Sequence, residues 1–388
     1  MNPLQEFEHR LAATLRDVRN AGLFRQMRLP HGVDLVSNDY LGLAEHPHLT
    51  EAMRAAMADL PAGSGGSRLL RGHHEIFELL EEQLANFTGA ESALLFGSGY
   101  AANIGLLQAI VSSDDLVVSD ERNHASLIDG IRLTKAATAI YPHQDLHALE
   151  AALTRPRRGR ALVITESVFS MDGDLTPLSD ICDIAERNDA VVIVDEAHAT
   201  GMYGTRGSGR VEELGLRARV LATIHTGGKA LGSGGAWVAG SRAVREVLVN
   251  RARSFIFSTA PLPVLAAALS AGLQVIAREP QRRAEVHRKS LFLKRALADA
   301  GITTGGDSMI VPIIIGANEA ATEMQASLVS AGFDVRAIRP PSVAPGTARL
   351  RVTVRYPVPD DELLRFAGEI ARLARTQQTG PDPIAANR

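Results

Sequence analysis

The chain has 388 residues, 45% of them hydrophobic and 22% charged, with a formal net charge of -3 and a single cysteine, Cys182. That length exceeds what one hydrophobic core usually serves, so a large domain with a satellite is expected. The near-neutral charge supplies no field to gather nucleic acid or an anionic membrane, one cysteine excludes an internal disulfide, and no basic-then-apolar leader opens the sequence, which makes the cytoplasm the default expectation.

Residues 3 to 21 place Leu4, Phe7, Leu11, Leu15 and Val18 on one stripe, the period of an amphipathic helix. VDLVSNDYLGL then reads as a short strand leaving into a loop. From about 46 to 280, helical periods alternate with the runs SALLF, DLVVSD, ATAIYP, ALVITES, AVVIVDE and VLATIHT. Short apolar strands separated by helices predict a parallel sheet covered on both faces, with ligands gathered beyond the carboxyl ends of its strands. Cys182, in SDICDIAE, reads as a packed thiol on a helix. APLPVLAAALSAGLQVIA (260–277) approaches membrane-spanning length, but its alanines, two prolines, Ser270 and Gln274 predict a core helix instead.

Beyond helical sequence at about 281–300, the run SMIVPIIIG, a helix near 317–331, DVRAIRP, ARLRVTVRY and a closing helix near 361–376 predict a compact α+β unit. The expected division is an N-terminal helix and strand segment (1–45), a large domain (46–280) and a C-terminal α+β domain (281–378). The tail, 379–388, has no apolar periodicity and is expected to be disordered.

AVVIVDEAHAT ends a buried strand on Asp195 and Glu196. Such an acidic pair could hold magnesium, and the letters DEAH suit an ATPase that moves nucleic acid. A P-loop, however, needs Gly, four residues, then Gly-Lys-Ser/Thr. The only Gly-Lys here, in GGKALG, has Ala230 after Lys229 and Thr223 where the first glycine belongs. The Gly-x-Gly-x-x-Gly fingerprint is missing too, since GTRGSGRVEELG (204–215) lacks its spacing. The acidic pair therefore has no triphosphate partner.

Lys229 stands in a glycine-rich loop, HTGGKALGSGG, directly after a strand. A lone lysine is usually surface charge, and DEAH alone is as readily a structural carboxylate. An amine among small residues nevertheless suits an imine link to an aldehyde, because burial moves it toward its reactive neutral form. Pyridoxal phosphate needs both groups, a lysine for its aldehyde and a carboxylate that keeps its ring nitrogen protonated.

Other strand ends offer further groups. Ser98, Gly99 and Tyr100 open a helix after SALLF whose free amides suit a phosphate, with Thr226 a further hydroxyl. His124 follows DLVVSD and could stack on a cofactor or simply be hydrogen-bonded. Glu166 and Ser170 follow ALVIT, and His198 could reach the ring's phenolic oxygen or lie behind it. No HExxH and no paired cysteine occurs, and the histidines of HPH (46–48) and HH (73–74) have no further ligands nearby, so no metal is expected.

SNDYLGL (37–43), GSGGSR (63–68), SGYAAN (98–103), NHASLIDG (123–130), ESVFSMDGD (166–174), DEAH (195–198) and TGGKALG (226–232) follow one another as in the α-oxoamine synthases, which the chain resembles from about 35 to 355. The resemblance implies an α/β, fold-type I pyridoxal-phosphate transferase with a mostly parallel seven-stranded sheet sandwiched by helices and a smaller α+β C-terminal domain. It also implies a decarboxylative condensation of an amino acid with an acyl thioester. GSGGSR and AIRPPSVAPGTARLRVTV (337–354) look most like the branch that joins L-alanine to pimeloyl-CoA or pimeloyl-[acyl-carrier protein] in biotin synthesis; sister branches take glycine or serine with another thioester.

By that resemblance Lys229 is the Schiff-base lysine and the base for the α-proton, Asp195 partners the pyridine nitrogen, and His124 stacks on the ring. Ser170 and His198 contact the phenolic oxygen, while Ser98, Gly99, Tyr100 and Thr226 face the phosphate. Asn38 and Arg351 hold the substrate carboxylate, and Glu166 lies near the reacting centre. The family's homodimer implies that Ser258 and Thr259 reach the neighbouring subunit's phosphate. Three places depart from the pattern: Ala199 stands where glycine usually follows DEAH, His225 stands for an apolar residue, and RYP (355–357) replaces Thr-Ala-type sequence close to Arg351. A relative that has lost catalysis and serves as a scaffold is a further alternative, against which the intact Lys229 and Asp195 argue.

Overall fold

The computed structural model describes residues 2–378, so the expected disordered tail lies outside the described residues. In chain order the strands are β1 (Val33–Asp34), β2 (Ser92–Phe96), β3 (Leu116–Asp120), β4 (Ala137–Tyr141), β5 (Ala161–Glu166), β6 (Ala190–Asp195), β7 (Ala222–Thr226), β8 (Ala236–Gly240), β9 (Ile310–Gly316), β10 (Phe333–Asp334), β11 (Ala337–Ile338) and β12 (Ala348–Thr353). Seven of them form one sheet in the order β2-β8-β7-β6-β5-β3-β4. Every residue of β3 and β5 is buried, which is why these strands read as unbroken apolar runs and not as an alternation.

The pairs from β7 through β6, β5 and β3 to β4 are parallel. β8 runs antiparallel to both β7 and β2, so β2 points the same way as the parallel strands. Their carboxyl ends therefore lie along one edge, and the loops after β2, β3, β5, β6 and β7 share it. The six apolar runs of the sequence are β2 to β7. AWVAG, which forms β8, escapes periodicity because it is short, alanine-rich and flanked by glycine, yet all five residues are buried.

The second sheet has the order β11-β12-β9, and β1 pairs in parallel with β10. Thr353 N donates to Leu35 O at 2.8 Å and Tyr356 N to Tyr40 O at 2.8 Å, so the segment after β1 is laced to the exit of β12. One hydrophobic cluster takes in Leu35, Leu231, Ile276, Leu293, Ile310 and Phe366, joining the C-terminal elements to the large sheet's helices. We propose the division 1–45, 46–280 and 281–378 as the units of this architecture.

The stretch expected to be a core helix is helical from Pro263 to Arg278 and buries Ala266, Leu269 and Ile276, while Cys182 is fully buried. No helix among the described residues is long and apolar enough to cross a membrane. The first helix, Pro3–Asn20, starts on a reciprocal cap between Asn2 and Gln5 with Pro3 in its first turn. Its stripe is only partly used, since Leu4, Phe7, Leu11 and Leu15 stay exposed in the single chain.

Phe366 is fully buried in the helix Asp360–Gln378, edge-on to Phe333 at 5.3 Å. Phe366→Ala should cost about 3–5 kcal/mol in chemical denaturation, whereas Leu364→Ala, at a half-exposed position of the same helix, should stay within about 0.5 kcal/mol. Equal losses from the two would contradict this assignment of the helix's buried face.

Candidate active site

The two acids that end β6 part company. Asp195 Oδ2 accepts from Asn103 Nδ2 and Oδ1 from Ala197 N, both at 2.8 Å. Glu196 points elsewhere: its oxygens accept from Ser167 Oγ at 2.7 Å, Arg210 N at 3.0 Å and Val211 N at 2.6 Å. It thereby caps the short helix Arg210–Glu213, which has no other side-chain cap. Burial raises its pKa to about 7, the hydrogen bonds opposing. Glu196 is structural, and Asp195 alone faces the strand-end edge.

Asn103 sits in the helix Gly99–Ile110, which follows β2, and its amide also donates to Ser126 Oγ at 2.8 Å. Ser126 Oγ in turn bonds His124 Nδ1 at 2.7 Å. His124 caps the helix Ala125–Thr134, accepting from Ser126 N through the same nitrogen. Partial burial holds its pKa below the usual imidazole value, with Asp195 opposing. One amide thus ties the Asp195 carboxylate to the setting of the His124 ring. The motifs assign Asn103 no role; the available signal is an asparagine within the largely apolar helix AANIGLLQAI.

Lys229 lies three residues past the end of β7. Its Nζ lies 2.8 Å from His198 Nε2, and His198 Nδ1 lies 2.5 Å from the Tyr40 hydroxyl. With Lys229 donating, His198 carries its proton on Nδ1 and donates it to Tyr40. Tyr40 Oη then donates to Asn38 Oδ1 at 3.3 Å, which also accepts from Arg351 Nη2 at 3.0 Å. Arg351 further donates from Nε to Ser170 O at 2.5 Å and from Nη1 to Thr353 Oγ1 at 3.0 Å. Lys229, His198, Asn38, Arg351 and the backbone of Ser170, chosen from motifs spread over more than 300 residues of sequence, therefore meet in one chain of bonds. Tyr40, the fully buried link in that chain, lies within SNDYLGL, where its sequence neighbours give no sign of the role its distant partners create.

Burial moves Lys229, His198 and Tyr40 toward their neutral forms. Lys229 falls to about 8, burial outweighing the Asp195 and Glu166 carboxyls that favour its charge. His198 is driven well below its usual value by burial, then by the Lys229 and Arg351 cations, and Tyr40 rises to about 12 through burial. Glu166 lies directly across from Asp195 in the β5–β6 register. Burial first, then the Asp195 charge, pushes it well above the ordinary carboxyl range, and its Oε1 has no hydrogen-bond partner among the described residues.

At the end of β2, Ser98 Oγ accepts from Ala101 N at 3.2 Å and starts the helix Gly99–Ile110. The first-turn amides of Gly99 and Tyr100 have no intrahelical acceptors, and a Cβ added at Gly97 or Gly99 would meet open space. Tyr100 turns its hydroxyl to Asp129. Thr226 Oγ1 is bonded within its own loop, donating to Gly235 O and accepting from Gly228 N, both at 3.3 Å. Ser258 and Thr259 are exposed and border a small recess with Gly97 and Arg68. No hydrogen bond among the described residues links those two to Lys229 or Asp195.

Two of the departures from the family pattern leave this set intact. His225 stacks on Trp237 with ring centroids 5.0 Å apart, and its nitrogens bond Thr200 Oγ1 at 2.9 Å and Thr223 Oγ1 at 2.8 Å. Burial lowers it to about 3, so it is a neutral, satisfied ring in an apolar position. Ala199 is fully buried in the main core.

These residues fit pyridoxal phosphate. A part-buried amine of lowered basicity, a carboxylate held by two donors, and a helix start with free amides stand along one sheet edge, matching the aldehyde, ring nitrogen and phosphate of that molecule. Fold and site together define a fold-type I transferase.

The sequence pattern of the family described as Aminotransferase class I and II matches residues 30–370. Over 383 residues the chain is 42% identical to a protein from Geobacter sulfurreducens named 8-amino-7-oxononanoate synthase, covering 94% of this chain and 98% of that one. A protein of the same name from Mycolicibacterium smegmatis is 45% identical over 350 residues, covering 89% and 91%. Among solved structures, a serine palmitoyltransferase from S. paucimobilis with bound PLP–myriocin aldimine superposes with a TM-score of 0.89 at 25% identity, covering 98% of this chain and all of that one. An 8-amino-7-oxononanoate synthase from Francisella tularensis gives 0.79 at 26% identity, covering 89% and 99%. The chain belongs to the aminotransferase class I and II family, in its α-oxoamine synthase branch.

An amine lowered to about 8 is mostly neutral just above that pH. When pyridoxal phosphate is added to cofactor-free protein, the rate of covalent attachment, followed by visible absorbance, should rise with pH and level off above about 8. A rate still climbing toward the pKa of a free lysine would show that burial does not govern Lys229.

Proposed function

We propose that the chain is a pyridoxal-phosphate-dependent acyltransferase of biotin synthesis. It condenses L-alanine with a pimeloyl thioester of coenzyme A or acyl-carrier protein, giving 8-amino-7-oxononanoate, carbon dioxide and the free thiol. The observation that carries the enzymatic reading is the part-buried Lys229 amine of lowered basicity, just past the strand end beside that of Asp195; the name shared by relatives at 42% and 45% identity supports the substrate pair. A homodimer in the cytoplasm, with Ser258 and Thr259 directed to the other copy's phosphate, is part of the same reading.

When bound, pyridoxal phosphate supplies an electron sink conjugated with the amino acid's α-carbon. Lys229 would hold it covalently through Nζ, and its free amine would serve as the base for the α-proton; a basicity near that of the medium suits both taking and returning a proton. Asp195, fixed by Asn103 and Ala197, holds a proton on the pyridine nitrogen. Ser98, Gly99, Tyr100 and Thr226 hold the phosphate, His124 covers the ring, and Ser170 and His198 serve the phenolic oxygen. Arg351 and Asn38 orient the amino-acid carboxylate, for which a planar guanidinium offers two parallel donors. Glu166, whose carboxyl burial pushes well above the ordinary range, lies near the reacting centre, where a second negative charge beside Asp195 is disfavoured.

The second reading is a sister synthase that uses glycine or serine with another acyl thioester, favoured by the close superposition on serine palmitoyltransferase. Visible spectra of the holoenzyme, with L-alanine, glycine or L-serine added with and without pimeloyl-CoA, separate the two. An alanine-specific response that changes further with the thioester supports biotin synthesis; a preference for glycine or serine moves the function to a sister enzyme. A colourless protein that does not change with added pyridoxal phosphate would remove the cofactor and the reading with it.

Two substitutions test the roles. Asp195→Asn should keep the coloured cofactor and lose roughly two orders of magnitude in rate; full activity would leave Asp195 a structural carboxylate only. Arg351→Lys should raise the alanine KM more than it lowers kcat, and an unchanged KM would contradict a carboxylate-binding Arg351.

A further inference from the structure

Closeness in sequence to Arg351 suggests that RYP alters the substrate pocket directly, but the structure shows a different route. The Arg355 guanidinium donates from Nε to Asp39 O at 3.0 Å, from Nη1 to Asp34 Oδ2 at 2.6 Å and from Nη2 to Asp39 Oδ2 at 3.2 Å. Both acids also organise the backbone of the segment they bracket. Asp34 Oδ1 accepts from Val36 N and Ser37 N, both at 2.9 Å, and Asp39 accepts from Leu43 N at 2.8 Å and Ala44 N at 3.2 Å. The guanidinium therefore closes a clamp on the turn that presents Asn38 and Tyr40. Those two residues meet Arg351 and His198, at 3.0 and 2.5 Å.

We propose that Arg355 is a positioning residue of the amino-acid subsite, holding the 34–44 segment in the register that sets Asn38 against Arg351 and Tyr40 against His198. The inference rests on the reading of Arg351 as the carboxylate-binding group. The side chains of Arg355 and Asp39 are 13% and 10% exposed, so solvent screens this pair less than a surface pair. A planar fork can serve three acceptors at once, whereas lysine has a single nitrogen and alanine cannot span the gap. Because the clamp acts on the side that carries Asn38 and Tyr40, its effect falls on the amino acid and not on the thioester.

The test uses the holoenzymes of Arg355→Ala, Arg355→Lys, Asp34→Asn and the double variant Arg355→Ala/Asp34→Asn. L-Alanine, glycine and L-serine are titrated by visible spectrum, and KM is measured for both substrates. Arg355→Ala should weaken amino-acid binding about tenfold, on the scale of one charge-assisted contact. The thioester KM should stay within about twofold and the cofactor absorbance should be unchanged. Arg355→Lys should fall between wild type and Arg355→Ala. Asp34→Asn keeps an oxygen for Val36 and Ser37 and loses only the ion pair, so it should shift the same constant in the same direction. The double variant should be no worse than Arg355→Ala, because both changes open one clamp.

Unchanged amino-acid binding in Arg355→Ala overturns the proposal, as does a parallel loss of both substrates together with the cofactor. Should Arg355→Ala not fold, unchanged amino-acid binding in folded Arg355→Lys and Asp34→Asn overturns it equally. A wild type that responds to glycine or serine instead of alanine revises the substrate assignment alone, and the clamp is then judged on that amino acid. A wild type that binds none of the three overturns both.

Discussion

A sheet covered on both faces leaves little room for charged side chains along its strands, and this constraint places the chemistry of the molecule. β3, β5 and β6 are largely apolar runs that reach a charged group only at their carboxyl ends, at Asp120, Glu166 and Asp195. Because β2 and the parallel strands point the same way, those ends and the loops beyond them converge on one edge. The helix start at Ser98, the His124 cap, Asp195 and Lys229 are neighbours for that reason, although no two of them are close in sequence. The missing link between carboxylate and imidazole is supplied from a helix face, by Asn103.

Concentrating titratable groups at a buried edge has an electrostatic consequence. Desolvation is the largest influence on Lys229, His198, Glu166 and Tyr40 alike, and in each it favours the neutral form. Two cationic and two acidic groups packed as full charges would face a large solvation cost; shifted toward their neutral forms, Lys229, His198 and Tyr40 join by directed hydrogen bonds. With Lys229 donating, the bonds run with one polarity from Lys229 through His198 and Tyr40 to Asn38. An amine held near neutrality at the end of such a chain is suited to exchanging a proton, the step that an amino-acid condensation demands of it.

The other half of the site depends on closure between distant parts of the chain. Residues 34–41 and 351–356 are laced by Thr353 N to Leu35 O and Tyr356 N to Tyr40 O, at 2.8 Å each, and by the ion pairs of Arg355. Neither segment is a long strand, and the turn between Asp34 and Ala44 is shaped by two aspartates accepting from its own amides. Lys289 reinforces the far end by donating to Tyr356 O and Val358 O, both at 2.7 Å. The amino-acid side of the site is thus built where the two ends of the fold meet, while the cofactor side belongs to the sheet.

Local sequence determined the parts of this protein that depend on local physics. Apolar runs and intervening helical periods mark β2 to β7 and the layered α/β fold, the glycine-flanked Lys229 and the strand-end Asp195 mark the cofactor chemistry, and the family motifs carried the remaining assignments. Tertiary structure decided which acid of the DEAH pair faces the site, because only the position of the Arg210–Glu213 helix turns Glu196 into a cap. It also decided the roles of Tyr40, Asn103 and Arg355, whose partners lie 158, 92 and 316 residues away, and it admitted β8, whose alanine and glycine carry no period. The first helix shows the converse: its apolar stripe is plain in the sequence, yet Leu4 and Phe7 find no cover within the single chain. Periodicity reports which face of an element is apolar. What that face or a lone polar side chain will meet is set by the path of the backbone through space, and no short stretch of sequence contains it.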